Sequence, residues 1–175
     1  EGPGGLRFAR RKYGKQHLRP VRFVDQRTLG EVLTYLRGDT GVQSVVIDSL
    51  GEIYAKLLRL LGGAKPQIQH YGQVNTLLED FIRSLRDLPL HVVLVAHEAV
   101  EDSEEGGALR RPATGGRQLP EKAMAMMDVV AYCGVKQDAE EEGGQLHYLG
   151  QVVQARGRRA KDRSGSLGSS RELDL

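Results

Sequence analysis

The chain has 175 residues, of which 39% are hydrophobic, and a formal net charge of +2. This length suits one domain with its own core, and so small a net charge does not by itself argue for nucleic-acid binding. The single cysteine, Cys133, excludes a disulfide framework and a cysteine metal cage. No apolar run approaches the roughly 20 residues of a membrane-spanning helix, and there is no secretory signal pattern, so we expect a cytoplasmic protein without a membrane partner.

The first part of the chain alternates between patterns typical of strands and of helices. A capping-box spacing, Thr28-Leu29-Gly30-Glu31, marks the start of the first predicted helix. Continuous runs of Val, Ile and Leu are typical of buried parallel strands. The predicted order is a short strand at 21–24, a helix at 28–36, a strand at 45–47, helices at 53–61 and 71–85, and a strand at 91–95. Strands separated by helices indicate βαβ units and a parallel sheet.

The rest of the chain has a different composition. Residues 99–118 are polar and rich in glycine, which predicts a long loop, and loops of that length are usually functional or disordered. Pro120 is well placed to start a short helix. The apolar stretches at 128–135 and 146–155 predict an antiparallel hairpin joined by an acidic turn. Residues 164–175 are rich in Ser, Gly and charge, so we expect a disordered tail.

The run Val45-Val46-Ile47 ends abruptly in Asp48-Ser49, which is the form of a Walker B strand. The carboxyl end of a central parallel strand opens on the crevice in which α/β proteins bind ligands. A carboxylate there can hold Mg²⁺, which takes one or two carboxylates and keeps most of its waters. The alternative is a helix N-cap, since Asp or Ser commonly stands before an apolar helix.

A Walker B carboxylate works together with a glycine-rich loop that ends in Lys and Ser/Thr and holds the phosphates. This sequence has no such loop: Glu1-Gly2-Pro3-Gly4-Gly5 lacks the Gly-Lys-Ser/Thr ending, and Tyr13-Gly14-Lys15-Gln16 lacks the upstream glycine and the hydroxyl. Either the protein is not a P-loop protein, or its first strand, P-loop and first helix are absent from this sequence. We favour the second explanation.

The order of the motifs VVIDS, VVLVAHE, TGGR and AKDR resembles that of RecA-like ATPases, and most of all the phage recombination ATPases that support single-strand annealing. The resemblance implies a partial RecA-like P-loop NTPase core at 1–163, an α/β fold with a mainly parallel sheet flanked by helices and a carboxyl-terminal antiparallel hairpin. It also implies ATP and Mg²⁺ as cofactors, single-stranded DNA as a partner, a ring or filament of identical subunits, and a phage or bacterial cytoplasm.

The resemblance assigns roles to residues around the nucleotide. Asp48 would hold Mg²⁺, and Ser49 would support it by a hydrogen bond. Glu1 matches the glutamate that polarises the water attacking the γ-phosphate, although a chain-terminal glutamate is as often simply solvated. His97, at the end of the second buried strand, would sense the γ-phosphate and relay its presence to the loop that follows. The alternative for His97 is a polar strand-end residue with local hydrogen bonds.

Lys161 and Arg163 follow the last predicted strand, where RecA-like rings and filaments supply cationic fingers to the nucleotide of the neighbouring subunit. A positive group there would stabilise charge on the transferring phosphoryl group. The alternative is a solvated charged tail.

The loop at 99–118 matches the position of the family's strand-binding loop, so Arg110, Arg111 and Arg117 are the first candidates for contacts with DNA phosphates. The acidic residues at 101–105 oppose them, and the loop has no aromatic side chain for base stacking. We therefore expect weak, salt-sensitive binding there. A basic amino-terminal run is the second candidate, although such runs are usually solvated faces: Arg7, Arg10, Arg11, Lys12, Lys15 and Arg19.

Two other functions stay open. One is a RecA-like ATPase of another pathway, such as a replicative helicase or a KaiC-type protein. The other is a non-catalytic module that keeps the fold, binds DNA or a partner, and has lost its nucleotide chemistry. A Walker A motif in the coding sequence upstream of Glu1 would decide for the ATPase, and its absence from an intact reading frame would favour the module.

Overall fold

The structure, a computed structural model, describes residues 4–103, 107–116, 118–137, 146–155 and 157–172. Its helices are α1 (Gly4–Tyr13), α2 (Gln26–Arg37), α3 (Leu50–Gly62), α4 (Ile68–Arg86) and α5 (Gln118–Met126), with a 3-10 turn at Lys15–His17. Its strands are β1 (Ser44–Ile47), β2 (His91–Leu94), β3 (Glu98–Ser103), β4 (Gly107–Pro112), β5 (Val129–Val130), β6 (Tyr132–Gln137), β7 (Leu146–Gln151), β8 (Lys161–Asp162) and β9 (Ser170–Glu172).

Helix α2 begins at a side-chain cap that lies earlier than the sequence pattern predicts. The Asp25 carboxylate accepts a hydrogen bond from the Arg27 amide at 2.9 Å, and the Thr28 hydroxyl accepts one from the Asp25 amide at 3.4 Å. Asp25 is thus the N-cap, because its carboxylate satisfies an amide of the first turn, and Thr28 completes the capping box from inside the helix. The helices predicted at 53–61 and 71–85 are confirmed as α3 and α4.

The hydrophobic core lies between α3, α4 and α5. One face of α4 is fully buried, as helical spacing of apolar residues requires. Val45 and Ile47 of β1, with Val92 and Leu94 of β2, pack against this core. Its buried members include Leu50, Tyr54, Leu57, Val74, Leu78, Phe81, Ile82, Leu85 and Leu119. Among the described helices, none is both long enough and apolar enough to cross a bilayer.

Strands β1 and β2 pair in parallel, with Val46 opposite Val93, which confirms the predicted relation between these two strands. Alternate residues along each strand are half-buried and exposed. The exposed fractions of Val46 and Val93 are 59% and 47%, so one apolar face of the pair is uncovered in the described part of the chain. A central parallel strand is normally covered on both faces. The wider parallel sheet stays a prediction.

The prediction of a long loop at 99–118 is wrong for the first part of that segment, because β3 and β4 form an antiparallel hairpin there. Side chains of opposite charge explain why a polar sequence adopts strands. Arg110 pairs with Glu98 and Arg111 pairs with Glu101 across the two strands, and such cross-strand pairs stabilise hairpins. The hairpin contains most of the predicted DNA-binding loop.

The carboxyl-terminal hairpin is confirmed, with β6 antiparallel to β7. The structure differs from the expected disordered tail, because β9 pairs with β7 inside the segment 164–175. The turn before β9 is held by Asp162, whose carboxylate accepts hydrogen bonds from the amides of Ser164 and Leu167, both at 2.9 Å. These contacts give the Ser/Gly-rich stretch a fixed local structure that its composition does not indicate.

Residues 21–24, predicted as a strand, lie outside any strand. Val21 and Val24 are 66% and 57% exposed, whereas Phe23 packs against the core. Phe23 therefore anchors this segment to the core, and the segment does not form an edge strand of a sheet. The Lys56 ammonium group donates a hydrogen bond to the Phe23 carbonyl at 2.8 Å and holds this segment against α3.

Candidate functional site

Asp48 follows β1 directly and is exposed at the carboxyl end of the parallel pair. The main chain around it is fixed by two hydrogen bonds, from Val95 amide to Ile47 carbonyl and from Leu50 amide to Val95 carbonyl, both at 2.9 Å. These bonds tie the first turn of α3 to the end of β2. Among the described residues, no hydrogen-bond donor or cation pairs with the Asp48 carboxylate. The carboxylate is therefore available at the edge of the sheet where ligands bind in α/β folds.

Ser49 occupies the N-cap position of α3 but makes no side-chain capping hydrogen bond. It is 1% exposed, and its Oγ atom is buried without a partner among the described residues. A buried hydroxyl without a partner is unfavourable and requires an explanation. The N-cap alternative thus fits the position of Ser49 but not its hydrogen bonding, and it does not account for Asp48.

His97 lies three residues beyond β2, at the same edge of the sheet as Asp48. Its side chain is exposed, and its carbonyl accepts a hydrogen bond from the Ala113 amide at 2.7 Å. Ala113 follows β4, so this bond closes the base of the β3–β4 hairpin onto the end of β2. The structure therefore brings the His97 main chain to the base of the hairpin, and its ring makes no hydrogen bond or ion pair with a described residue.

A polar corner that the sequence reasoning missed lies beside α3 and consists of Tyr54, Asn75 and the segment 114–116. Gly115 and Gly116 have φ of 78° and 64°, and a Cβ atom on Gly116 would stand 3.1 Å from both Tyr54 Oη and Asn75 Oδ1. Those two oxygens and Thr114 Oγ1 are buried without partners in the part of the chain that the structure describes. Burial, and to a lesser degree Tyr71, raises the pKa of Tyr54.

The glycine pair in the motif TGGR was a visible signal for this corner, because consecutive glycines permit a left-handed turn against another group. Tyr54 was not recognisable, since an aromatic residue within an apolar helix normally indicates core packing. Asn75 was not recognisable either, because polar residues on α4 look like its solvated face.

Lys161 and Arg163 contact helix α5 of their own chain. Lys161 Nζ donates to the Ala125 carbonyl at 3.1 Å, and the Arg163 guanidinium donates to the same carbonyl at 3.3 Å. Arg163 also forms an ion pair with Asp128 at 2.8 Å. Burial, together with the neighbouring Arg163 charge, lowers the pKa of Lys161. Both cations thus interact with the negative end of α5, as cations near a helix carboxyl terminus do.

Arg110 and Arg111 are held in ion pairs on the hairpin. Glu98 binds Arg110 and also accepts a hydrogen bond from the Tyr132 hydroxyl. The Tyr132 hydroxyl and then the Arg110 guanidinium hold the pKa of Glu98 below its ordinary value. Arg111 pairs with Glu101. The two other predicted site residues, Glu1 and Arg117, lie outside the described residues.

The donor set around Asp48 suits Mg²⁺ and does not form a closed metal cage. In the described ranges, no group of three or more His, Cys, Asp or Glu side chains lies close enough to hold a metal ion. Mg²⁺ does not need such a group, because one carboxylate, waters and substrate phosphates commonly complete its shell. The Asp48 carboxylate and the Ser49 hydroxyl, neither of which has a partner within the described ranges, are consistent with that arrangement.

Comparison with known proteins adds an observation that the geometry alone does not supply. The family model described as "AAA domain" matches residues 14–164, which is most of the chain. The chain belongs to the AAA domain family. This family consists of AAA-type P-loop ATPases, so the chain is a domain of the nucleotide-binding ATPase class with an α/β fold. No curated protein and no solved structure matches it.

The match includes most of the residues discussed above, among them Asp48, His97 and Lys161, within one AAA domain. Nucleotide, usually with Mg²⁺, is what this family uses, in agreement with the chemistry available at Asp48. The match begins at Gly14, directly after α1. Helix α1 is therefore outside the part of the chain that the family accounts for.

Proposed function

We propose that this AAA domain binds and hydrolyses ATP with Mg²⁺ in a phage-encoded protein that acts on single-stranded DNA during recombination or strand annealing. The observation that carries the nucleotide part is the Asp48 carboxylate at the carboxyl end of β1, beside the parallel strand β2, where no described residue pairs with it. The family match over residues 14–164 supports the same class of chemistry. The DNA part is supported by the resemblance of the motif order to recombination ATPases.

Asp48 would hold Mg²⁺ in this proposal, and Ser49 would steady the water or carboxylate next to it. When bound, the metal supplies positive charge that neutralises the phosphates and the developing charge of phosphoryl transfer. The chain's own contribution is to fix Asp48. The hydrogen bonds between β1, β2 and the start of α3 do this, because they leave little freedom to the main chain on either side. Glu1 would orient the attacking water.

A phosphate-binding loop is also required, and the sequence of 175 residues contains none. We infer that residues outside this sequence supply it. The exposed face formed by Val46 of β1 and Val93 of β2 supports this inference, since apolar faces of parallel sheets are normally covered by helices. A strand, P-loop and helix packed on β1 and β2 would cover that face.

His97 would act as the sensor of the γ-phosphate. Its position supports this role, because its main chain bonds to Ala113 at the base of the β3–β4 hairpin. A movement of His97 on loss of the γ-phosphate would thus also move the β3–β4 hairpin. His97→Ala is expected to reduce hydrolysis moderately and to abolish its stimulation by single-stranded DNA. Equal stimulation of wild type and variant would leave His97 as a polar strand-end residue.

Lys161 and Arg163 would act as cationic fingers in a homo-oligomeric ring or filament. In the described chain they contact Ala125, so this role requires them to leave that carbonyl when subunits assemble. The Arg163 side chain is 60% exposed and can make this change more easily than the partly buried Lys161.

The non-catalytic binding module is the second candidate function. The specific observation that favours it is the lack of a P-loop sequence in the 175 residues. A related ATPase of the helicase or KaiC type would share the nucleotide chemistry and differ in its partner. Hydrolysis of ATP by the complete protein would distinguish an ATPase of either kind from a non-catalytic binding module.

The test uses two preparations, the 175-residue chain and the protein translated from the complete reading frame. Calorimetry with Mg-ATP should show weak binding to the chain, because the amides and lysine that hold phosphates are lacking. The complete protein should hydrolyse ATP, and faster when single-stranded DNA is added. Micromolar binding by the 175-residue chain would show that the nucleotide site is misplaced. A complete protein without hydrolysis would favour the binding module.

A further inference from the structure

The amino-terminal segment 2–24 has an unusual charge. It contains seven lysines and arginines and no aspartate or glutamate. The net charge of the whole chain is only +2, so acidic residues outnumber basic ones in the remainder. A concentrated positive segment on an otherwise mildly acidic domain creates a local attraction for polyanions that the net charge conceals.

The structure places three of these cations on one side of a helix. Arg7, Arg10 and Arg11 lie in α1 at the spacing of residues that share a helix face, and all three are exposed. Among the described residues, no carboxylate pairs with any of them. Like charges at this spacing repel each other, so a bound anion would relieve that repulsion.

Exposed aromatic side chains accompany the cations. Tyr13, the last residue of α1, is 58% exposed, and Lys12 Nζ lies 5.3 Å from its ring centre. The Arg19 guanidinium lies 5.7 Å from the ring centre of Tyr35, which is 42% exposed. Cations interleaved with accessible rings are what single-stranded nucleic acid requires, because phosphates bind the cations and bases stack on the rings.

The hairpin is a poorer candidate for the same ligand. Arg110 and Arg111 are paired with Glu98 and Glu101, so a phosphate would have to displace a carboxylate from each. The α1 arginines have no carboxylate partner to exchange in the described part of the chain. The structure thus reverses the order of the two DNA-binding candidates, since the sequence alone could not show which cations are already paired.

We propose that α1 and the turn after it are the single-stranded nucleic-acid contact of this protein. Helix α1 lies before Gly14, where the AAA domain match begins, and the turn after it lies within the match. The choice of DNA as the polymer rests on the proposed function, whereas the contact with a polyanionic strand does not. Arg7, Arg10 and Arg11 bind phosphates, and Tyr13 stacks on a base.

The experiment measures fluorescence anisotropy of a labelled oligothymidylate titrated with the 175-residue chain at several salt concentrations. Arg7→Gln/Arg10→Gln/Arg11→Gln should weaken binding at least tenfold and reduce the slope of log affinity against log salt by roughly 2, as expected for three lost phosphate contacts on a single strand. Arg27→Gln/Arg37→Gln/Arg59→Gln, which removes three exposed arginines from α2 and α3, is the matched control and should bind nearly as the wild type does.

Three further variants separate charge from stacking. Arg7→Lys/Arg10→Lys/Arg11→Lys should keep most of the affinity, because a lysine still neutralises a phosphate. Tyr13→Ala should weaken binding roughly tenfold, whereas Tyr13→Phe should not, as expected for stacking on a ring. Circular dichroism of each variant checks that the helices are retained.

Three other results would each contradict one part of the α1 proposal. If the α1 triple variant binds as the wild type does and Arg110→Gln/Arg111→Gln does not bind, the hairpin is the site and the α1 proposal is wrong. If the wild type binds vesicles of acidic phospholipid but no oligonucleotide, α1 is a membrane contact and the proposal is also wrong. If a duplex binds as tightly as a single strand, the stacking role of Tyr13 is wrong. Failure of ATP hydrolysis by the complete protein would remove the proposed ATPase function without affecting any of these results.

Discussion

Gly51, in the first turn of α3, lies directly against the carbonyl oxygen of Ala113, so that a Cβ atom at position 51 would stand 2.5 Å from that oxygen. This contact joins the helix that starts beside Asp48 to the segment that follows the β3–β4 hairpin. It is a main-chain contact, and neither partner can move away by changing a side-chain rotamer. The first turn of α3 and the base of the hairpin therefore have to move together.

The first prediction concerns this contact. Gly51→Ala should lower the free energy of unfolding by about 1–3 kcal/mol, because the added methyl group overlaps a main-chain oxygen. Gly72→Ala is the control: it lies in α4 with no atom within 4 Å of its Cβ position, and alanine there should stabilise the protein by about 0.5–1 kcal/mol. Denaturant unfolding measures both. Equal stabilisation by the two substitutions would mean that the α3–Ala113 contact is not as close as described.

The second prediction concerns pH. The Tyr132 hydroxyl and the Arg110 guanidinium hold the pKa of Glu98 below its ordinary value near 4.5. A lowered folded-state pKa means that the unfolded chain binds the proton more readily, so the contribution is present above the ordinary carboxyl pKa and is lost as pH falls through the folded one. The stability difference between wild type and Glu98→Gln should thus exist at pH 7 and vanish in acid. A difference that does not change between pH 7 and pH 3 would contradict this.

The third prediction tests whether Lys161 and Arg163 act across a subunit boundary. Complete protein carrying Lys161→Ala/Arg163→Ala should be inactive alone, as should complete protein carrying Asp48→Asn. A mixture should recover part of the hydrolysis, because some junctions then combine an intact Asp48 site with an intact finger. If the two proteins assemble together and no mixing ratio restores activity, the cations serve only their contacts with Ala125 of α5 and with Asp128, which follows α5.

The sequence was sufficient for the elements whose pattern is local. The helices α3 and α4 and the parallel strands β1 and β2 follow from apolar periodicity and from continuous Val/Ile runs, and the position of Asp48 follows from the end of such a run. The resemblance in motif order anticipated the AAA-type ATPase family. Its finer content, the phage recombination pathway, stays a proposal.

The remainder depended on contacts between distant residues. The β3–β4 hairpin was hidden because its polar side chains are paired with each other, as Glu98 with Arg110, and composition cannot show pairing. The structure within 164–172 depends on contacts with residues outside it, because the Asp162 carboxylate binds the turn and β9 pairs with β7. Tyr54 belongs to the polar corner only because the chain at 114–116 returns to α3. Such returns are set by tertiary packing and not by local propensity.

The central claim is that Asp48 holds the metal of an ATPase site, and the most direct test is the rate of Mg-ATP hydrolysis by the complete protein with Asp48→Asn. Asp39→Asn, at an exposed carboxylate in the turn after α2, is the matched control. Asp48→Asn should fold normally and lose on the order of a hundredfold or more in hydrolysis, as removal of one electrostatic contact to a transition state does. Asp39→Asn should hydrolyse ATP at the wild-type rate. If Asp48→Asn is as active as Asp39→Asn at saturating Mg²⁺, the account of this site is wrong.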